Sequence, residues 1–336
     1  MLSPRDEVFK IINDEKIEHF PRVIIFNTPV VDMMKTAEAF WPKGHYNGEE
    51  MAKIAGAIHD TTGFNAVMLH WDHCVELEAL GGKSSIGDKI TDIPEPKEPA
   101  FEDIDAIHIS KDILKKGRFP EIFKAIKIVK SNYNDEILIV PVVCGPLDVS
   151  CLSVGVNKMY KMMIKDPKQA ITVLDKISDL CIQFGNEVLK CGGDIIHLSD
   201  PFCQGLTSKA FEQFMIPIYK KISESIRGPI YLHICGNTSQ LLKHIPDSGF
   251  FGFSFDSPSV SVEQAKNEIG NGMKLIGSVP TVTHILEGTK QDVFNKSLEC
   301  IHAGVDFLAA SCGFPPEAPL ENVKAMVNAI DFYNDA

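Results

Sequence analysis

The sequence predicts a parallel α/β fold, a (β/α)8 TIM barrel, on three observations. Eight short β-branched runs are spread along the 336 residues. Between the later runs, apolar residues recur at three- and four-residue spacing, as amphipathic helices require. No Gly-rich fingerprint follows the first run, which removes the main support for a doubly wound open sheet. Eight is the number of parallel strands that closes a barrel.

Taken in order, residues 1–20 read as a helical arm ahead of the barrel. The strand runs are 22–26 (RVIIF), 65–69 (NAVML), 137–143 (ILIVPVV), 194–199 (DIIHLS), 229–235 (PIYLHIC), 251–256 (FGFSFD), 274–279 (KLIGSV) and 306–311 (DFLAAS). Residues 70–136 are too many for one crossover. They include SSIGDKITDIPEPKEPAFEDID, rich in proline and acid, which predicts an inserted hairpin or lid followed by a loop. Further on, 208–226 and 290–304 read as helices, with Thr207 or Ser208 and Thr289 as caps. The whole span 1–336 is expected to be one barrel domain.

Composition narrows the partners. A formal net charge of −12 speaks against nucleic acid or an anionic membrane surface. The only arginines are Arg5, Arg22, Arg118 and Arg227, too few for broad polyanion recognition. The opening MLSPRDEVFK is charged where a signal peptide needs an apolar core. No apolar run approaches the ~18 residues of a membrane span. A cytoplasmic location is therefore expected. Nine cysteines without a C-x-x-C pair argue against a disulfide framework.

The chemistry centres on YLHICGNTSQ, residues 231–240. Residues two apart in a strand share a face, so His233 and Cys235 both point inward at the C-terminal end of the fifth run. That end is where barrel enzymes place their active sites. The pair by itself is compatible with buried packing. Cys312, just past the eighth run, adds a third zinc-type donor, and Asp256, ending the sixth, adds an oxygen. One histidine, two cysteines and an open or oxygen-filled fourth position fit a catalytic zinc site better than a closed structural one. Asp200 ends the fourth run and either caps a turn or lines the pocket. His197 is a core histidine or a cavity one. LHWDHC (69–74) lies at the barrel mouth in a pocket-lining or structural role, and Cys144 reads as packing.

These segments resemble the uroporphyrinogen decarboxylase superfamily. The resemblance runs through SPRDEVFKIINDEKIEHFPRV, VELEALGGK, CGPLDVS, SDPFCQGLTSKAFEQFMIPIYKKI, HICGNTSQLLKHIPDSGFFGFSFD, IGSVPTVTHILEGT and ASCGFPPEAPLENVKAMVNAI. The H-x-C pair with a late cysteine is similar to the methylcobamide:coenzyme M methyltransferase branch. That resemblance implies one Zn²⁺ per chain on His233, Cys235 and Cys312, with Asp256 as a fourth ligand where the distantly related cobalamin-independent methionine synthases carry a glutamate. It implies transfer of a methyl group from a methyl-corrinoid to the thiol of coenzyme M, as in methanogenesis from methylated C1 compounds. The chain has no D-x-H-x-x-G cobalamin motif, so the corrinoid is expected on a separate protein. Asn237, Thr238, Gln204 and Asp200 are the candidate substrate-binding residues. The rival within the superfamily is a decarboxylase-type enzyme. It reads a polycarboxylate with arginines soon after the first strand, where this chain has none. A corrinoid methyltransferase using another thiol is the remaining alternative.

Overall fold

The structure, a computed structural model, describes residues 2–257 and 259–336. Six parallel strands lie side by side in chain order. They are β1 (Ala66–Leu69), β2 (Leu138–Cys144), β3 (Ile196–Ser199), β4 (Ile230–Ile234), β5 (Gly252–Phe255) and β6 (Lys274–Ile276). Every residue of β1 to β5 is buried. Parallel strands covered on both faces require this, which is why the runs are apolar without alternating.

The first and last predicted strands complete the barrel without regular ladders. Residues 306–311 join the end of β6 through the bridges Ile276–Phe307 and Val279–Ala310. Val23 to Phe26 are buried, and a backbone bond from Asn65 N–H to Arg22 O ties the segment to β1. The buried Asn27 side chain then takes the place of a ladder. Its amide donates to the carbonyls of Ile24 and Ala66, and its oxygen accepts from Met68 N–H. Thr28 Oγ1 donates to Phe314 O and Val31 N–H to Pro316 O, closing the ring.

The arm is helical only over Pro4–Ile12, where Ser3 caps it. Asp14 then turns into the left-handed region at φ 59, which ends the helix short of residue 20. The insertion after β1 contains the expected hairpin, an antiparallel pairing of Lys83–Ser84 with Pro96–Glu98. The expected loop behind it is partly wrong. Phe119–Tyr133 is an amphipathic helix with Ile122, Ala125, Ile126 and Val129 buried, and it is the barrel's own crossover into β2. Thr207, not Ser208, caps the helical run that starts at Ser208, and that run passes through a π segment at Phe211–Met215. Thr289 forms a capping box with Asp292 ahead of Lys290–Ala303. Among the described residues no helix is long and apolar enough to cross a membrane.

Strand register decides which side chains meet at the C-terminal end. His197 of β3 sits beside Tyr231 of β4, and His233 of β4 sits between Ser199 of β3 and Ser254 of β5.

Candidate metal centre and its cavity

His233 lies in β4 and Cys235 directly follows it, on the same face as the two-residue period requires. His233 Nε2 lies 3.0 Å from Cys235 Sγ, and Cys235 Sγ lies 3.6 Å from Cys312 Sγ. The three donor atoms all fall within 4.8 Å of one another, although Cys312 is 77 residues away in sequence. The two sulfurs ionise unequally. A hydrogen bond from Cys235, then His233, hold the Cys312 thiol well below its ordinary range. The same contact and burial push Cys235 well above it.

The second nitrogen of His233, Nδ1, lies 3.1 Å from Ser254 Oγ. Register puts Ser254 directly beside His233, so the hydroxyl fixes the ring and leaves Nε2 to face the sulfurs. Ser254 was not among the expected site residues. Its signal is the inward position of FGFSFD, two before Asp256, which acquires meaning only once the strands are paired.

Asp256 does not join the three donors. Its Oδ2 accepts from Gly236 N–H at 3.1 Å, so this short carboxylate pins the turn after Cys235. Gly236 has φ +74, and a Cβ there would lie 1.9 Å from Gln204 Oε1. Only glycine suits that position.

The donors open into a cavity of about 310 Å³ whose walls include Phe26, Trp41, Trp71, His70, His73 and His197. None of the four expected substrate residues lines it. Asn237 is exposed and accepts from Ser239 N–H and Oγ–H. Thr238 is buried and its Oγ1 has no partner among the described residues. Gln204 is exposed over Gly236. Asp200 is fully buried and serves the helix Pro146–Val154. It accepts from Asp148 N–H at 2.7 Å, Leu147 N–H at 3.3 Å and Tyr219 O–H at 2.8 Å. Burial, with the nearby Asp148 charge, pushes its carboxyl up to about 7.

The strap after β1 supplies residues that sequence reasoning placed only generally at the mouth. Asp72 takes both terminal nitrogens of Arg118, at 2.8 and 2.7 Å, while Glu78 accepts from Arg118 Nε at 2.6 Å. Arg118 is therefore buried and doubly paired, and no lysine or arginine is among the cavity-lining residues. His70 is buried with both ring nitrogens unpartnered among the described residues; burial lowers it to about 3, so it is neutral. His197 turns out to be a cavity residue whose tautomer is set by a chain of bonds. Tyr231 gives its proton to Ile25 O at 2.8 Å, so His197 Nδ1–H donates to the Tyr231 oxygen at 2.7 Å. His197 Nε2 is left as a lone pair, and burial keeps the ring neutral.

Residues 3–333 match the family model described as Uroporphyrinogen decarboxylase (URO-D). The chain belongs to this family. Within it, the chain is 29% identical over 330 residues to the methylated-thiol–coenzyme M methyltransferase of Methanosarcina mazei, covering 98% of this chain and 89% of that one. It is 29% identical over 324 residues to the methylcobamide:CoM methyltransferase MtaA of Methanosarcina barkeri, covering 96% of each. A solved methyltransferase from Methanosarcina mazei superposes with a TM-score of 0.95 at 30% identity over 99% of both chains. That likeness assigns the α/β barrel of the family.

Proposed function

We propose that this chain is a zinc-dependent methyltransferase that moves a methyl group from a methyl-corrinoid protein to the thiol of coenzyme M, in methanogenesis from methylated C1 compounds. The observation that carries the reading is the gathering of His233, Cys235 and Cys312 at the wall of a small, largely apolar cavity. One imidazole and two thiols suit Zn²⁺ in type and number, and leave a position open for a reactant. Ser254 presets the imidazole for that role. When bound, the ion supplies Lewis acidity that favours the ionised form of a substrate thiol near neutral pH.

The chain's own groups do the rest. His233, Cys235 and Cys312 place the acceptor sulfur at the barrel mouth. Phe26, Trp41 and Trp71 keep water from it, which preserves the nucleophilicity of a sulfur anion. The two methyltransferase relatives carry names that fit this reaction. The missing D-x-H-x-x-G motif supports a corrinoid carried by a second protein. A decarboxylase-type activity fits less well, because its polycarboxylate substrate needs arginines, and no arginine lines the cavity.

Metal analysis of the purified protein should find about one zinc per chain, lost in His233→Ala and in Cys312→Ser. With methylcobalamin and 2-mercaptoethanesulfonate under anaerobic conditions, the corrinoid spectrum should report demethylation. A protein that binds no zinc, or that holds zinc and transfers no methyl group to any thiol, defeats this reading.

A further inference from the structure

A second group in the same cavity plays no part in the reaction as described. His73, Cys144 and Asp148 have donor atoms within 4.8 Å of one another, and His73 lines the cavity. The pair at its heart is His73 Nδ1 to Asp148 Oδ2, 2.8 Å apart. Asp148 is almost wholly buried, whereas the His73 side chain is 42% exposed. The backbone beneath it is anchored, since Asp148 N–H donates to Asp200 Oδ1.

This pairing sets the charge of the ring. Burial works against an imidazolium, but Asp148, followed by Asp72 and Glu76, outweighs it and raises His73 to about 9. Both ring nitrogens then carry a proton. Nδ1–H is spent on Asp148. Nε2–H, on the other edge of the ring, has no partner among the described residues. The cavity imidazoles His70 and His197 are neutral, and no lysine or arginine lines the walls. A free N–H on a cationic side chain that lines a cavity without lysine or arginine is a donor for an anion.

We propose that His73, held by Asp148, is the counter-ion for a sulfonate group on the thiol substrate. It thereby selects small thiols that carry an acid at the end remote from sulfur. The inference rests on the methyl-transfer reading for its substrate, but it concerns a different group and a different contact. Sulfonate stays ionised at every pH at which the protein is folded, and offers three acceptor oxygens to a single fixed N–H.

Ethanesulfonate, which has the acid and lacks the thiol, isolates this contact. Isothermal titration calorimetry at pH 7 should show binding to the wild-type protein. Binding should weaken by roughly tenfold or more in His73→Gln, as loss of a charged hydrogen bond predicts. His73→Lys, which restores a cation beside Asp148, should recover most of the affinity. Wild-type affinity in His73→Gln, or no recovery in His73→Lys, overturns the proposal. So does a second bound metal per chain that His73→Gln removes. Methyl transfer to thiols without ethanesulfonate binding sinks this proposal alone. Ethanesulfonate binding without methyl transfer leaves it standing and sinks the reaction.

Discussion

Ser254 shows how one residue can preset another for metal binding. A histidine presents a defined nitrogen to a metal only when the other nitrogen is engaged, and here that engagement is a 3.1 Å contact to the Ser254 hydroxyl. Ser254→Ala removes the contact while leaving all three donors in place. Metal affinity should fall by roughly 10- to 100-fold, the usual effect of deleting such a partner, in competition with a chromophoric chelator. Unchanged affinity would mean that packing against Phe26, whose ring centroid lies 4.7 Å from that of His233, orients the imidazole by itself. The three donors were legible in the sequence because strand period and strand-end position are local properties. Ser254 was not, since its meaning depends on which residue of a neighbouring strand it faces. The contact that Asp256 makes was hidden for a related reason. Its place at a strand end is visible in the sequence, but the backbone N–H that claims its carboxylate is not.

The element that matters most is the turn leaving β4. Cys235 directly follows the strand, and the chain turns at the next residue. Gly236 makes that reversal at φ +74, beneath Gln204 and against Asp256. Gly236→Ala imposes left-handed backbone on a residue with a Cβ, at a cost of about 1–2 kcal/mol, and drives that Cβ into the Gln204 side chain. Urea denaturation should report a loss of at least that size, accompanied by weaker metal binding because Cys235 is displaced. A variant with full metal affinity would show that the turn is not what places Cys235. The closing staves carry a similar lesson. Runs 22–26 and 306–311 have strand composition, but Asn27 and two bridges, rather than a ladder, hold them in the barrel. Composition reports that a segment is buried and extended; it does not report which groups satisfy its backbone.

At the scale of the whole molecule, the fold stores acid groups in places that disfavour their charge. Glu76 is fully buried. Its Oε1 accepts from Cys144 N–H, and its Oε2 has no partner among the described residues. Burial raises its carboxyl from about 4.5 to about 7, and Asp200 is raised to about the same value. The folded chain therefore keeps protons that the unfolded chain has already released. Stability from these groups is full below the unfolded carboxylate range and declines as pH rises towards 7. Glu76→Gln keeps the acceptor for Cys144 and removes the titration. Its stability relative to wild type should grow between pH 5 and pH 8 by up to on the order of 3 kcal/mol. Parallel pH profiles from urea denaturation would contradict this.

The sequence by itself pointed to the fold class, to the meeting of His233, Cys235 and Cys312, and to the hairpin after β1. Each follows from local patterning: β-branched runs, a two-residue strand period, and proline-rich punctuation. Tertiary structure alone decided that Ser254 meets His233, that Asp256 and Asp200 accept from backbone N–H groups, and that Arg118 is consumed by Asp72 and Glu78. It also decided that His73, which lines the cavity, is paired with a buried Asp148. The reason is physical. A polar side chain takes its role from the partner within about 3 Å, and in a barrel that partner usually belongs to a different strand.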